Sequence, residues 1–119
     1  IEASIAHAPW LNLVITEKQL IADIATGYHA VIMGADKFEQ IQDVQFYADE
    51  ATRDTAMAAL PTVVGPNRQG SPDLPATAVV IDLPPKLQDV SSSGARSGRP
   101  EWMTPPARKT ATANSIWGF

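Results

Sequence analysis

His29-Ala30-Val31-Ile32-Met33-Gly34-Ala35-Asp36 is the stretch on which the fold reading turns. From Ala30 to Met33 the run is apolar at every position. That is the pattern of a strand covered on both faces, not of one that alternates. Gly34-Ala35-Asp36 closes it. Upstream, Gly27 ends a helix expected over Glu17–Thr26, where Leu20, Ile21, Ile24 and Ala25 share one stripe. Thr16 stands at the start of that helix with Gln19 three residues on, a capping-box pattern. Before it, Trp10-Leu11-Asn12-Leu13-Val14-Ile15 has the composition of a strand. Strand, helix and fully apolar strand make a βαβ unit and predict a parallel pair.

Downstream, Lys37–Gln42 reads as a short helix with Phe38 and Ile41 inward. Asp49–Leu60 is the clearest helix, with acids in its first turn and Pro61 as its breaker. Thr62-Val63-Val64 is a short strand, and Gly65–Pro72 reads as a loop. A further strand is expected at 77–83. After Gly98, prolines 100, 105 and 106 mark an extended tail with a short helix near 105–113, pinned by Trp102 and Trp117. The expected fold class is α/β, a doubly wound parallel sheet incomplete at the N-terminus. The α/β domain would cover 1–99 and the tail 100–119, with no internal repeat and no second domain.

The totals narrow the functions. The 119 residues suffice for one small domain, and the net charge of −4 comes without a basic run, which argues against a nucleic-acid backbone as partner. There is no cysteine, so disulfides, thiol catalysis and thiolate metal sites are excluded. No apolar run approaches the roughly 20 residues of a membrane span. No secretory pattern is present, and the expected location is cytoplasmic. The sequence begins at Ile1, and an earlier segment is expected.

The chemistry-bearing residues lie where strands end. Asp89-Val90-Ser91-Ser92-Ser93-Gly94-Ala95-Arg96 follows the 77–83 strand and the Pro84-Pro85 break. Serine caps helices, and a helix N-terminus offers amides and partial positive charge to an anion, above all phosphate. Arg96 falls about one turn in, where a guanidinium can grip phosphate oxygens in two places. The plainer reading is a serine-rich surface loop. Gly34 permits close approach of a ligand to the backbone. Asp36, acceptor-only when ionised, suits a pair of sugar hydroxyls, and also suits the N-cap of the next helix. Arg68 is read either as a phosphate or acceptor contact or as a solvated loop arginine. In an open parallel sheet, ligands bind outside the carboxyl ends of strands, where these three loops fall.

In series, Gly34-Ala35-Asp36, Arg68-x-Gly70 and Val90-Ser91-Ser92-Ser93-x-x-Arg96 resemble the later motifs of the nucleotidyltransferase superfamily. Among its members, the series is most similar to the nicotinate/nicotinamide mononucleotide adenylyltransferases. Trp102-Met103-Thr104-Pro105-Pro106 also resembles the segment after their final phosphate motif, so the resemblance spans about residues 10–106. It implies a Rossmann-like fold that binds ATP with magnesium. Asp36 would hold the adenosine ribose, with Gly34 and Ala35 lining the same pocket. Ser91, Ser92 and Ser93 would receive the triphosphate, and Arg96 would neutralise part of its charge. The implied reaction transfers AMP to a pyridine mononucleotide phosphate and releases pyrophosphate.

Two departures accompany the resemblance. The family's catalytic His-x-Gly-His is not in the chain: its two histidines are His7 and His29, and His29 sits in a strand pattern and reads as structural. The chain therefore reads as the C-terminal portion of such an enzyme, with no catalytic residue and no metal ligand assigned within it. Where the family places a tryptophan after the Asp36 motif stands Val44, with Phe46 and Tyr47 beside it as core or ring-stacking residues. The alternatives are a non-catalytic nucleotide-binding or regulatory module, and a small α/β interaction domain. Without a preceding strand the 28–33 strand is expected to expose an apolar edge, so self-association or further chain segments would complete the sheet.

Overall fold

A computed structural model of the chain describes residues 1–116; Trp117, expected to pin the tail, lies outside the described residues. The chain forms two compact units, one continuous over Thr16–Gln88 and one assembled from Ile1–Ile15 and the residues from Asp89 onward.

The continuous unit is built on a three-stranded sheet. β1 (Ala30–Ile32), β2 (Thr62–Asn67) and β3 (Val79–Asp82) lie in the order β1-β2-β3, and both pairs are parallel. The register sets Val31 beside Val63 and Gly65 beside Val80. Parallel pairing needs a crossover. Between β1 and β2 it carries α3 (Ala35–Gln40) and α4 (Glu50–Ala58), after the short α2 (Ile21–Ala25) before β1. α4 starts where Asp49 accepts the Thr52 N–H at 2.7 Å, satisfying one first-turn amide. Met33, Ile41 and Val63 form the buried centre, and Ile21, Val31, Phe38, Met57, Leu60 and Leu74 pack around it. Burial of such side chains, worth about 1.5–3 kcal/mol each when complete, is what holds α3 and α4 to the sheet.

The crossover from β2 to β3, residues 68–78, contains no helix. All four residues of β3 are exposed.

The sequence expectations hold for the α/β class and fail in several elements. Trp10–Ile15 forms no strand; it is irregular, and Trp10, Val14 and Ile15 are largely exposed. Strand composition reflects fit to a pleated, half-buried surface, and these residues have no ladder partner. The βαβ unit expected over 10–33 is therefore absent, and the parallel pair belongs to β1 and β2. The helix expected over Glu17–Thr26 shrinks to α2, because Thr16 Oγ1 accepts the Lys18 N–H in a local turn and does not cap a helix. β1 is not covered on both faces: it is an edge strand, and Ile32 is 76 % exposed. His29 precedes β1 and is exposed. β2 runs on through Gly65-Pro66-Asn67, where a loop is expected. Its pairing to β1 ends at Val64, and a proline is tolerated on the stretch that has one neighbour.

The second unit is helical. It holds α1 (Glu2–Ile5), α5 (Ser92–Arg96), a 3-10 turn at Pro100–Trp102 and α6 (Pro105–Ala113). Pro105 starts α6, where the missing N–H costs nothing. Ala95 and Ala111 are its buried residues, and Ser4 Oγ and Thr104 Oγ1 share a hydrogen bond of 2.8 Å. α5 packs against the Trp102 turn through Gly94. A Cβ there would lie 2.3 Å from the tryptophan ring, so only glycine lets the two meet. No helix among the described residues is long and apolar enough to cross a membrane.

Candidate functional site

Because the sheet is parallel, the segments after its three strands leave from the same end. After β1, Gly34 is the N-cap of α3, with φ −76° and ψ 162°. The helix begins at Ala35, so Asp36 lies inside the first turn and is not its cap. No side chain caps α3. Asp36 is exposed, and an acid in the first turn complements the partial positive charge there. Ala35 is buried, so its methyl group serves packing.

After β2, the half-buried Arg68 is not a solvated loop cation. Its Nε and Nη2 donate to the Gln88 carbonyl at 3.1 and 2.9 Å. The Gln88 side chain completes a clasp. Its Oε1 accepts the Gln69 N–H at 3.0 Å, and its Nε2 donates to the Asn67 and Leu83 carbonyls at 3.2 and 3.3 Å. One glutamine thus ties the exit of β2 to the exit of β3. No local pattern in the sequence marks Gln88, since its partners are mostly backbone groups about 20 residues away.

In the helical unit, Ser91 is the N-cap of α5, and its Oγ accepts the Gly94 N–H at 3.0 Å. Ser92 and Ser93 are exposed in the first turn, where backbone amides have no intrahelical acceptor. Arg96, also exposed, ends the helix. Beside them is a cavity of about 360 Å³ lined by Ser91, Ser92, Arg96, Trp102, Met103 and Thr104. The Trp102 ring carries the Arg99 guanidinium 4.3 Å from its centroid. Arg99 Nε also bonds the Glu101 carboxylate and holds that carboxyl below its usual range. The serine turn and the three sheet segments belong to different units.

Phe46 and Tyr47 line a smaller cavity, about 200 Å³, together with Lys37, Gln40 and Ile41. The Tyr47 hydroxyl is anchored on the Ile41 carbonyl at 2.6 Å, while Phe46 remains half-exposed. Among the described residues, no group of three or more histidine, aspartate or glutamate side chains is arranged to hold a metal ion. Compared with models of protein families, with curated proteins and with solved structures, the chain has no match.

Proposed function

We propose that the chain is the nucleotide-binding part of an adenylyltransferase that moves AMP from ATP to a mononucleotide phosphate and releases pyrophosphate. The observation that carries the reading is the cavity at the serine turn, where hydroxyls of Ser91 and Ser92 and the Arg96 guanidinium line one space. First-turn amides and a guanidinium are the groups a polyphosphate chain needs. Magnesium would arrive with the triphosphate, bound mainly by phosphate oxygens and water. Asp36 offers its exposed carboxylate to ribose hydroxyls, Gly34 leaves the backbone beside it open, the buried Ala35 supports that turn from beneath, and Arg68 contacts a phosphate or the acceptor. Such a transfer proceeds by positioning and charge neutralisation more than by covalent chemistry. The proposed full architecture is a doubly wound sheet, of which β1–β3 are one part, working in the cytoplasm.

Titration calorimetry with magnesium ATP tests the reading. Ser92→Ala with Arg96→Ala is expected to weaken binding by roughly tenfold or more, the loss of about 1.4 kcal/mol. Unchanged affinity in the folded double variant overturns it. A second reading, a nucleotide-binding module without catalysis, is favoured by one observation: neither histidine stands in a His-x-Gly-His pattern. Binding of ATP by the full-length protein without pyrophosphate release would select that second reading.

A further inference from the structure

We infer that the cavity at the carboxyl end of β2 is a binding site for a small phosphorylated sugar, with Arg68 on the phosphate side and Asp73 on the hydroxyl side. The cavity measures about 360 Å³, within the span of small-molecule sites, and lies wholly in the Thr16–Gln88 unit. Its polar lining is Asn67, Arg68, Ser71 and Asp73, and Leu74 and Val80 supply apolar wall.

Arg68 and Asp73 line the same space but form no ion pair; the salt bridges among the described residues are Arg53–Asp54 and Arg99–Glu101. The reason is visible in the clasp. Gln88 holds the guanidinium by two of its five N–H groups, so the cation cannot swing over to the carboxylate. Three N–H donors remain for a ligand. The Asn67 carboxamide, the Ser71 hydroxyl and the Asp73 carboxylate likewise form no hydrogen bond among the described residues. A cation held in place by Gln88 and a carboxylate lining the same space fit a molecule that carries both an anionic group and hydroxyl donors. Arginine with hydroxyl and amide donors recognises phosphate, whereas a carboxylate accepts from adjacent sugar hydroxyls. No aromatic ring lines the cavity, so it offers no stacking surface for a base. The cavity therefore holds the sugar phosphate alone, and the base of a mononucleotide acceptor would lie outside it.

Binding itself does not depend on ATP. As the acceptor end of an adenylyl transfer, the site rests on the function proposed above. The test is calorimetry on the full chain without ATP, using ribose 5-phosphate, ribose and inorganic phosphate in separate titrations. Ribose 5-phosphate is expected to saturate one site and to bind roughly tenfold or more tighter than either part. Arg68→Gln should weaken it by a similar factor. Asp73→Asn, an exposed loop change that leaves the clasp intact, should weaken ribose 5-phosphate but not inorganic phosphate. Failure of ribose 5-phosphate to saturate, equal binding of inorganic phosphate, or indifference to Asp73→Asn would each overturn the inference. ATP titrated into Asp73→Asn separates the two sites, because this inference leaves that affinity at the wild-type value whichever way the ATP reading falls.

Discussion

Gly65→Ala should cost the sheet unit about 2 kcal/mol, although it adds one methyl group. Gly65 is buried in β2, where a Cβ would lie 2.4 Å from the Met33 carbonyl oxygen and 2.9 Å from Leu74 Cδ1. The leucine methyl can turn away. The carbonyl is backbone and moves only with its chain, and Met33 is tied to β2 by its N–H donating to the Val64 carbonyl at 3.0 Å. Relief therefore needs a strand shift of about 1 Å in the middle of the ladder. Overpacking of this kind costs about 1–3 kcal/mol, and alanine returns about 0.4–1 kcal/mol by restricting the unfolded chain. A clash with backbone belongs at the upper end, which leaves the net figure above. With a urea slope of about 1.5 kcal/mol/M, the midpoint falls by about 1.3 M. The chain supplies its own probe. Both tyrosines, Tyr28 and Tyr47, lie in the sheet unit and all three tryptophans lie outside it, so near-ultraviolet tyrosine dichroism follows the sheet. Gly34→Ala is the control, since nothing stands within 4 Å of a Cβ there. A Gly65→Ala midpoint equal to that of wild type would refute the register of β1 against β2.

Two further outcomes concern a helix cap and a sheet edge. Asp49 accepts both the N–H and the hydroxyl of Thr52 at 2.7 Å, which holds its carboxyl below the ordinary range. Stability from a lowered carboxyl pKa is present above the unfolded value, about 3.9, and is lost as pH falls through the folded value. Asp49→Ala should therefore lower the urea midpoint at neutral pH, with the gap closing below about pH 4; a gap that persists in stronger acid would contradict the cap. Separately, β1 is an edge strand whose Ile32 is 76 % exposed, and such edges invite pairing. Sedimentation of the chain should show concentration-dependent association that Ile32→Lys reduces, and a wild-type chain that remains monomeric throughout would count against it.

Local chemistry was legible where it was local. The acids and Pro61 around α4, the serine cap of α5 and the prolines opening α6 each act within one helical turn, so the sequence marks them directly. What failed depended on distant partners. Trp10–Ile15 has strand composition, but a strand exists only beside another. Ile32 lies on an edge because no strand stands on its far side, a fact of topology that no apolar run encodes. Gly65-Pro66 looked like a turn and is ladder, since the clash-free approach of Met33 and Leu74 demands a glycine there. At the candidate site, the serine turn and Asp36 could be named from spacing, whereas the clasp of Gln88 on Arg68 could not. Its bonds reach across two loops and use backbone carbonyls that carry no residue code.

The helical unit is sewn from both ends of the chain, with Ser4 bonded to Thr104, while the sheet unit is one uninterrupted segment. During translation at about 5–20 residues per second, the early portion must wait on the order of ten seconds for the later one to emerge. The ribosome therefore delivers a complete sheet before residues 1–15 have anything to close against.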